Sequence, residues 1–121
     1  MPRLRHIALI VTDPDATARF FADAFGMIRV ADIPAGCHMS DGTVSVALLR
    51  KDSEDERVGI DHFGFLVDEI EAASQVVLDA GGEVVLSGPS GGHAAFERKF
   101  RTPDGIVFDL SLEGWPGSAS G

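Results

Sequence analysis

Tyrosine is absent from this chain, and cysteine occurs once in 121 residues, as Cys37. A single thiol rules out an internal disulfide and a thiolate zinc cluster. Cys37 therefore reads as a small apolar side chain, with a catalytic thiolate as the lesser alternative. Basic residues are also scarce: Lys and Arg number 10 against 19 Asp and Glu, for a net charge of −9. The one basic cluster is Arg98-Lys99-Arg101. Clustered positive charge is what drives phosphate binding, so nucleic acid is not expected as a partner. No apolar run approaches the roughly 18 residues that span a bilayer, and no membrane partner is expected. The first residues enter a patterned strand at Leu4 without the charged and apolar regions of a secretory leader, which predicts a cytoplasmic protein. The length suits one compact domain with its own core.

What is present is a repeat. Arg5-His6-Ile7-Ala8-Leu9-Ile10-Val11-Thr12-Asp13 runs parallel to Asp61-His62-Phe63-Gly64-Phe65-Leu66-Val67-Asp68-Glu69. Each begins with a charged residue and a histidine, and each continues through an apolar run to Val and a polar helix start. Each is followed by a helical segment that ends at glycine, Gly26 in one and Gly81-Gly82 in the other. Asp41-Gly42 and Asp104-Gly105 then introduce β-rich runs. Self-similarity of this kind takes precedence over local propensity in assigning a fold.

The local signals predict an α+β chain of two βαβββ modules forming a cupped mixed sheet. Residues 4–11 and 60–67 read as first strands. Further strands are expected near 27–31, 36–40 and 43–50, and near 83–87, 94–101 and 105–112, with Asp-Gly at hairpin turns. Asp13 is expected to cap the first helix, with Pro14 in its first turn. Phe20, Phe21, Ala24 and Phe25 are expected to be its core stripe. In the second helix Asp68 and Glu71 have capping-box spacing, and Ile70, Val76, Val77 and Leu78 are expected to be buried. Glycine is expected to end both helices in the left-handed conformation. The glycine-rich run 87–92 lacks the following Lys-Ser or Lys-Thr of a phosphate loop. The segment after Trp115 is expected to be frayed.

Two histidines at the same position of two repeated strands carry the chemistry. Approximate two-fold symmetry would make His6 and His62 face each other. Strand parity places His6, Ala8 and Ile10 on one face and His62, Gly64 and Leu66 on its counterpart. Asp109 lies in an apolar strand, where a carboxylate is costly to bury unless paired or bound to a cation. An edge position facing water is the alternative for Asp109, and two buried histidines sharing no ligand is the alternative for the pair. The matching site in the first copy, four residues after Gly42, is Val46. Two imidazoles and one carboxylate with open positions suit Fe(II), Mn(II) or Zn(II). Such an ion can chelate two substrate oxygens and stabilise the resulting anion as a Lewis acid. His93 is a candidate general acid or base. His38 is a weaker one. Of Glu97, Arg98, Lys99 and Arg101, which alternate along one strand, one is a candidate to face the cup.

Leu4 to Pro14, Asp61 to Asp68 and Arg101 to Leu110 together resemble the vicinal oxygen chelate superfamily, also called glyoxalase/bleomycin resistance/dioxygenase proteins. The resemblance implies a glyoxalase/bleomycin resistance/dihydroxybiphenyl dioxygenase-like fold over residues 1–121. Module 1 covers about 3–50, a linker 51–57, module 2 about 58–114, and a tail 115–121. It implies a divalent-metal-dependent enzyme acting on a small oxygen-rich substrate by bidentate chelation, of dioxygenase or lyase/isomerase type. His6 and His62 match the first-strand ligands, and Asp109 stands where the family usually has Glu. Glyoxalase I and the epimerases place a ligand or base at the position assigned to Val46. Extradiol dioxygenases and fosfomycin-modifying enzymes usually employ tyrosine, which this chain lacks. The other implied reading is a metal-free binding protein of the bleomycin-sequestering type. A homodimer is the expected assembly.

Overall fold

The computed structural model describes residues 1–85 and 97–120. In order along the chain the elements are β1 (Arg3–Val11), α1 (Pro14–Phe25), β2 (Ile28–Ile33), β3 (Gly36–Ser40), β4 (Ser45–Arg50), β5 (Gly59–Leu66), α2 (Ile70–Asp79), β6 (Glu83–Val84), β7 (Glu97–Arg101) and β8 (Val107–Ser111). Among the described residues the strands form one mixed sheet of eight, in the order β2-β3-β4-β1-β5-β8-β7-β6. This is the cupped α+β arrangement the repeat predicts.

The sheet reads the same from either edge. Its centre is the antiparallel pair β1–β5, in which His6 lies opposite Gly64 and Ala8 opposite His62. Each central strand pairs in parallel with the last strand of its own module: β1 with β4, β5 with β8. The predicted local two-fold therefore passes between the two histidine-bearing strands.

The two faces of the sheet have different chemistry because side chains alternate along each strand. One face carries Val11, Cys37, Met39 and Leu48, which pack with Ala18 of α1, Phe21, Leu9 and Val46. In the other half Val67, Phe100, Phe108 and Leu110 pack with Phe63, Phe65 and the α2 residues Ile70, Ala73 and Val77. Each helix thus closes its own apolar cluster. The opposite face holds His6 and Ala8 of β1, His62 and Gly64 of β5, and Asp109 of β8. The buried thiol of Cys37 is part of the apolar cluster, and burial pushes its pKa up, away from thiolate chemistry.

Helix α1 begins as expected. The Ala16 N–H donates to Asp13 Oδ1 at 3.2 Å, Pro14 occupies the first turn, and Gly26 caps the end with φ 70°. Its stripe is not the expected one. Pro14 and Ala18 are buried and Phe21 packs on the core, whereas Phe20 and Phe25 are 59% and 70% exposed and Ala24 is exposed too. Positions 14, 18 and 21 follow the spacing of one helical face. Small residues there let the helix sit close to the sheet. Phe20 falls off that line, and Phe25, in the final turn, meets the rings of Phe20 and Phe21.

Helix α2 departs further. Glu69 is its N-cap and forms no side-chain capping bond among the described residues. Asp68 instead pairs with Arg3 at 4.0 Å and the N-terminal amine at 3.9 Å, and Glu71 pairs with Arg98. Long-range partners have taken both members of the expected capping box. The buried line is Ile70, Ala73 and Val77, while Val76 and Leu78 face outward. The helix ends at Ala80 in a right-handed conformation, one residue before Gly81.

The tail is not frayed. Ser40 Oγ donates to the Gly117 carbonyl at 2.6 Å, the Ala119 N–H to the Thr43 carbonyl at 2.8 Å, and Arg5 Nε to the Ala119 carbonyl at 2.9 Å. Residues from β1, β3 and the β3–β4 turn hold it across the sheet.

Candidate metal centre

Sheet register assembles the site. One crosswise row runs Ser45 (β4), His6 (β1), Gly64 (β5), Asp109 (β8), Lys99 (β7). The neighbouring row runs His38 (β3), Ala47 (β4), Ala8 (β1), His62 (β5). The local two-fold exchanges the rows, so that His6 corresponds to His62, Gly64 to Ala8, Lys99 to His38 and Asp109 to Ala47. The counterpart of Asp109 is therefore Ala47, not Val46. Val46 pairs with Ile7 just as Phe108 pairs with Phe63, and it packs into the core. Counting from Asp-Gly misplaced it by one because β4 and β8 do not leave their turns identically. Neither residue is a metal donor, so the asymmetry of the site is unchanged.

Gly64 makes the convergence possible. A Cβ built there would overlap the His6 ring, with even Nδ1 only 2.6 Å away. The imidazole takes the space of the missing β-carbon on β5 and reaches Asp109 on the next strand.

His6 Nε2 stands 3.2 Å and His62 Nε2 3.0 Å from the same oxygen, Asp109 Oδ2. The three residues are buried, and their candidate ligand atoms lie within 4.8 Å of one another. All three come from a single chain, so no exchange of modules between copies is needed to bring them together. The other carboxylate oxygen, Oδ1, accepts from Lys99 Nζ at 2.8 Å. His62 Nδ1 is 2.7 Å from Asp61 Oδ2. A carboxylate at Nδ1 holds the proton there and leaves the Nε2 lone pair free.

These donors fit a divalent ion. Two atoms bound to one ion at about 2.1 Å, at tetrahedral or octahedral angles, stand about 3.0 to 3.4 Å apart. The separations of the two imidazole nitrogens from Asp109 Oδ2 match that spacing. His62 Nε2 is also a buried nitrogen without an aligned hydrogen-bond partner among the described residues, despite its closeness to Asp109. A buried, unsatisfied lone pair is costly unless something binds it.

Electrostatics agree. Burial alone would raise the Asp109 pKa, but the hydrogen bonds with His6 and Lys99 and the closeness of His62 outweigh it and hold the carboxyl well below the usual range. For His6 burial, joined by the neighbouring His62, leaves the pKa lowered although Asp109 acts to raise it. For His62 burial acts downward too, but Asp109 and Asp61 together win and its pKa is raised. His38 is lowered by burial and then by His6, and its Nδ1 lies 3.2 Å from Ser45 Oγ.

The sequence-derived candidates are thus sorted. His6, His62 and Asp109 converge, and His38 borders them. Of the alternating charges on β7, two face the cup: Lys99, on Asp109, and Glu97, whose Oε2 accepts from Trp115 Nε1 at 2.9 Å. Arg98 points to the helix side, onto Glu71 and Ser74. His93 and the glycine-rich run 87–92 lie outside the described residues. Asp61 and Trp115 were missed. Asp61 is adjacent to His62 and was legible as a tautomer-setting neighbour. Trp115 carried no signal in a tail of small residues, yet its ring stacks on His6 with centroids 3.6 Å apart and planes at 9°. Lys99 was only one of four candidates, although the Asp104-Gly105 turn places it opposite Asp109.

The chain is similar to several known proteins. A probable chloroplastic lactoylglutathione lyase from Arabidopsis thaliana is 29% identical over 126 residues, a match covering 93% of this chain and 36% of the relative. The chain therefore spans about a third of that relative's length. The Mn(II)-bound glyoxalase from Novosphingobium aromaticivorans superposes with a TM-score of 0.69 at 27% identity, over 100% of this chain and 43% of its own. Methylmalonyl-CoA epimerase from Mycobacterium tuberculosis superposes with a TM-score of 0.70 at 22% identity, over 93% of this chain and 88% of its own. With residues 3–110 matching the family, the chain belongs to the Glyoxalase/Bleomycin resistance protein/Dioxygenase superfamily.

Proposed function

We propose that this protein is a divalent-metal-dependent enzyme acting on a small, oxygen-rich molecule, with His6, His62 and Asp109 as the ligands. The observation that carries the reading is the meeting of two imidazole nitrogens at one buried carboxylate oxygen, with His62 Nε2 left unsatisfied. When bound, the ion would polarise chelated substrate oxygens and stabilise negative charge on them. The Mn(II) of the glyoxalase relative makes manganese a reasonable first choice, beside Fe(II) and Zn(II).

The surrounding residues have separable tasks. Asp61 keeps the His62 proton on Nδ1. Lys99 occupies Oδ1 of Asp109, so the carboxylate offers a single oxygen and leaves more positions open for substrate. His38, held neutral by burial, is able to accept a proton at the cup wall. His93, read from the sequence as a general acid or base, keeps that role as part of the proposal. An ion that chelates two substrate oxygens in this way would serve lyase, isomerase or dioxygenase chemistry.

The test is titration of chelator-treated protein with Mn(II), Fe(II) and Zn(II) by calorimetry, beside His62→Ala and Asp109→Ala. Wild type should take up one ion that both variants lose. Absence of uptake, or uptake indifferent to both substitutions, would favour the metal-free binding protein instead.

A further inference from the structure

The cup holds a group that the proposed chemistry does not use. The Trp115 indole stacks on His6 and stands perpendicular to the rings of His38 at 5.4 Å and 87° and of His62 at 5.7 Å and 79°. Its Nε1–H donates to Glu97 Oε2 at 2.9 Å. We propose that Trp115 is an internal stand-in for the ligand of this cup, and that the molecule displacing it presents a flat aromatic ring with an N–H or O–H donor on its edge. The inference rests on reading the cup as a small-molecule site, and it names the class of molecule.

The walls of the slot recognise shape and chemistry rather than tryptophan as such. One parallel imidazole, two perpendicular imidazoles and one carboxylate acceptor suit any planar ring with a donor at the right edge. These walls stand on β1, β3, β5 and β7, all in the sheet, so the slot keeps its form when the indole leaves. The indole itself arrives on a segment after β8 that is neither helix nor strand.

That segment is shaped to lie where it does and, among the described residues, is held by isolated hydrogen bonds rather than by a strand ladder. Gly117 has φ 89°, and a Cβ there would stand 2.7 Å from Ser40 Cβ and 2.8 Å from Val30 Cγ2. Among the described residues its hydrogen bonds to the rest of the chain run to Arg3, Arg5, Ser40, Thr43 and Glu97, on the protein surface or partly buried. Segments held in this way open at lower free energy than the strands beneath them. With the indole in place His6 is 1% exposed and Asp109 0%. On this proposal a molecule from solvent takes the place of the indole when the segment moves aside.

The test uses the full chain in chelator, with phenol, anisole and cyclohexanol as probes. Phenol has ring and donor, anisole the ring without the donor, cyclohexanol the donor without the ring. Trp115→Ala should bind phenol at least about tenfold more tightly than wild type, because a tethered indole competes at high effective concentration. It should bind anisole and cyclohexanol at least about fivefold more weakly than phenol. Equal phenol affinity in the two proteins, or no preference for phenol, would overturn the proposal. Should the variant fail to fold, wild type carries the test. Trp115 is the only tryptophan and tyrosine is absent, so emission excited beyond phenol absorption reports this indole alone. Phenol should shift that emission to the red and raise acrylamide quenching about twofold as the indole is released, with cyclohexanol inert. Emission unchanged at saturating phenol would overturn it. Because no metal is present, a protein that prefers phenol yet binds no ion would retain this inference and lose the metal reading. One that binds the ion without that preference would do the reverse.

Discussion

The imidazole of His6 rests on the backbone of Gly64, in space that a β-carbon would fill. The pair sits opposite in the central β1–β5 ladder, and the local two-fold places Ala8 opposite His62 in the same way. The protein tolerates a methyl at one of these positions and not at the other. That difference tilts the site toward Asp109.

Gly64→Ala should therefore act on the site and on stability together. Overpacking of this kind costs about 1 to 3 kcal/mol. It should also push His6 Nε2 off its position and weaken divalent-ion binding by at least about tenfold, as removal of a ligand's support does. Urea melts and calorimetry measure the two effects. Unchanged ion affinity in the variant would mean that His6 does not need this seat.

Asp61→Asn separates metal affinity from folding. Asp61 is half exposed, so stability should change by less than about 1 kcal/mol. Ion affinity should fall about 10- to 100-fold as the His62 tautomer is released. An equal affinity in the two proteins would show that the Asp61 contact does not orient the ligand.

The pH dependence of the metal-free protein carries the mark of His38. Its pKa is lowered in the folded state by burial and then by His6, so the unfolded chain takes up the proton first as pH falls. Its contribution is fully present above the unfolded value of about 6.5 and is lost as pH falls from there toward the depressed folded value. His6 acts in the same direction and His62, whose pKa is raised, in the opposite one. His38→Gln should lose less stability than wild type between about pH 7 and pH 5, measured by urea unfolding. An identical acid slope would assign the effect to other groups.

The helix starts give a paired control. Asp13→Ala removes the bond from the Ala16 N–H and should cost about 1 kcal/mol. Glu69→Ala removes no capping bond and should stay within about 0.5 kcal/mol of wild type. Denaturant melts of both variants check the contrast.

Much of this was legible in one dimension. The repeated histidine strands, the Asp-Gly turns and the isolated carboxylate in an apolar strand predicted both the paired modules and the three converging residues. They could do so because alternation along a strand depends only on local backbone geometry. The helix surfaces were less legible. Phe20, Phe25, Val76 and Leu78 are as apolar as their buried neighbours, and which side of a helix is covered depends on how closely it approaches the sheet. Asp68 and Glu71 had the spacing of a cap, and distant cations took them instead.

The sequence by itself determined the repeat, the parity of each strand and therefore which side chains share a face. Only the tertiary structure decided what that face meets. Register across five strands put Lys99 on Asp109 and Ala47 at the empty symmetric position. A tail with no pattern of its own brought Trp115 back over the histidines. Contacts between residues about a hundred positions apart depend on where strands and tail close in space, and local spacing carries no record of that closure.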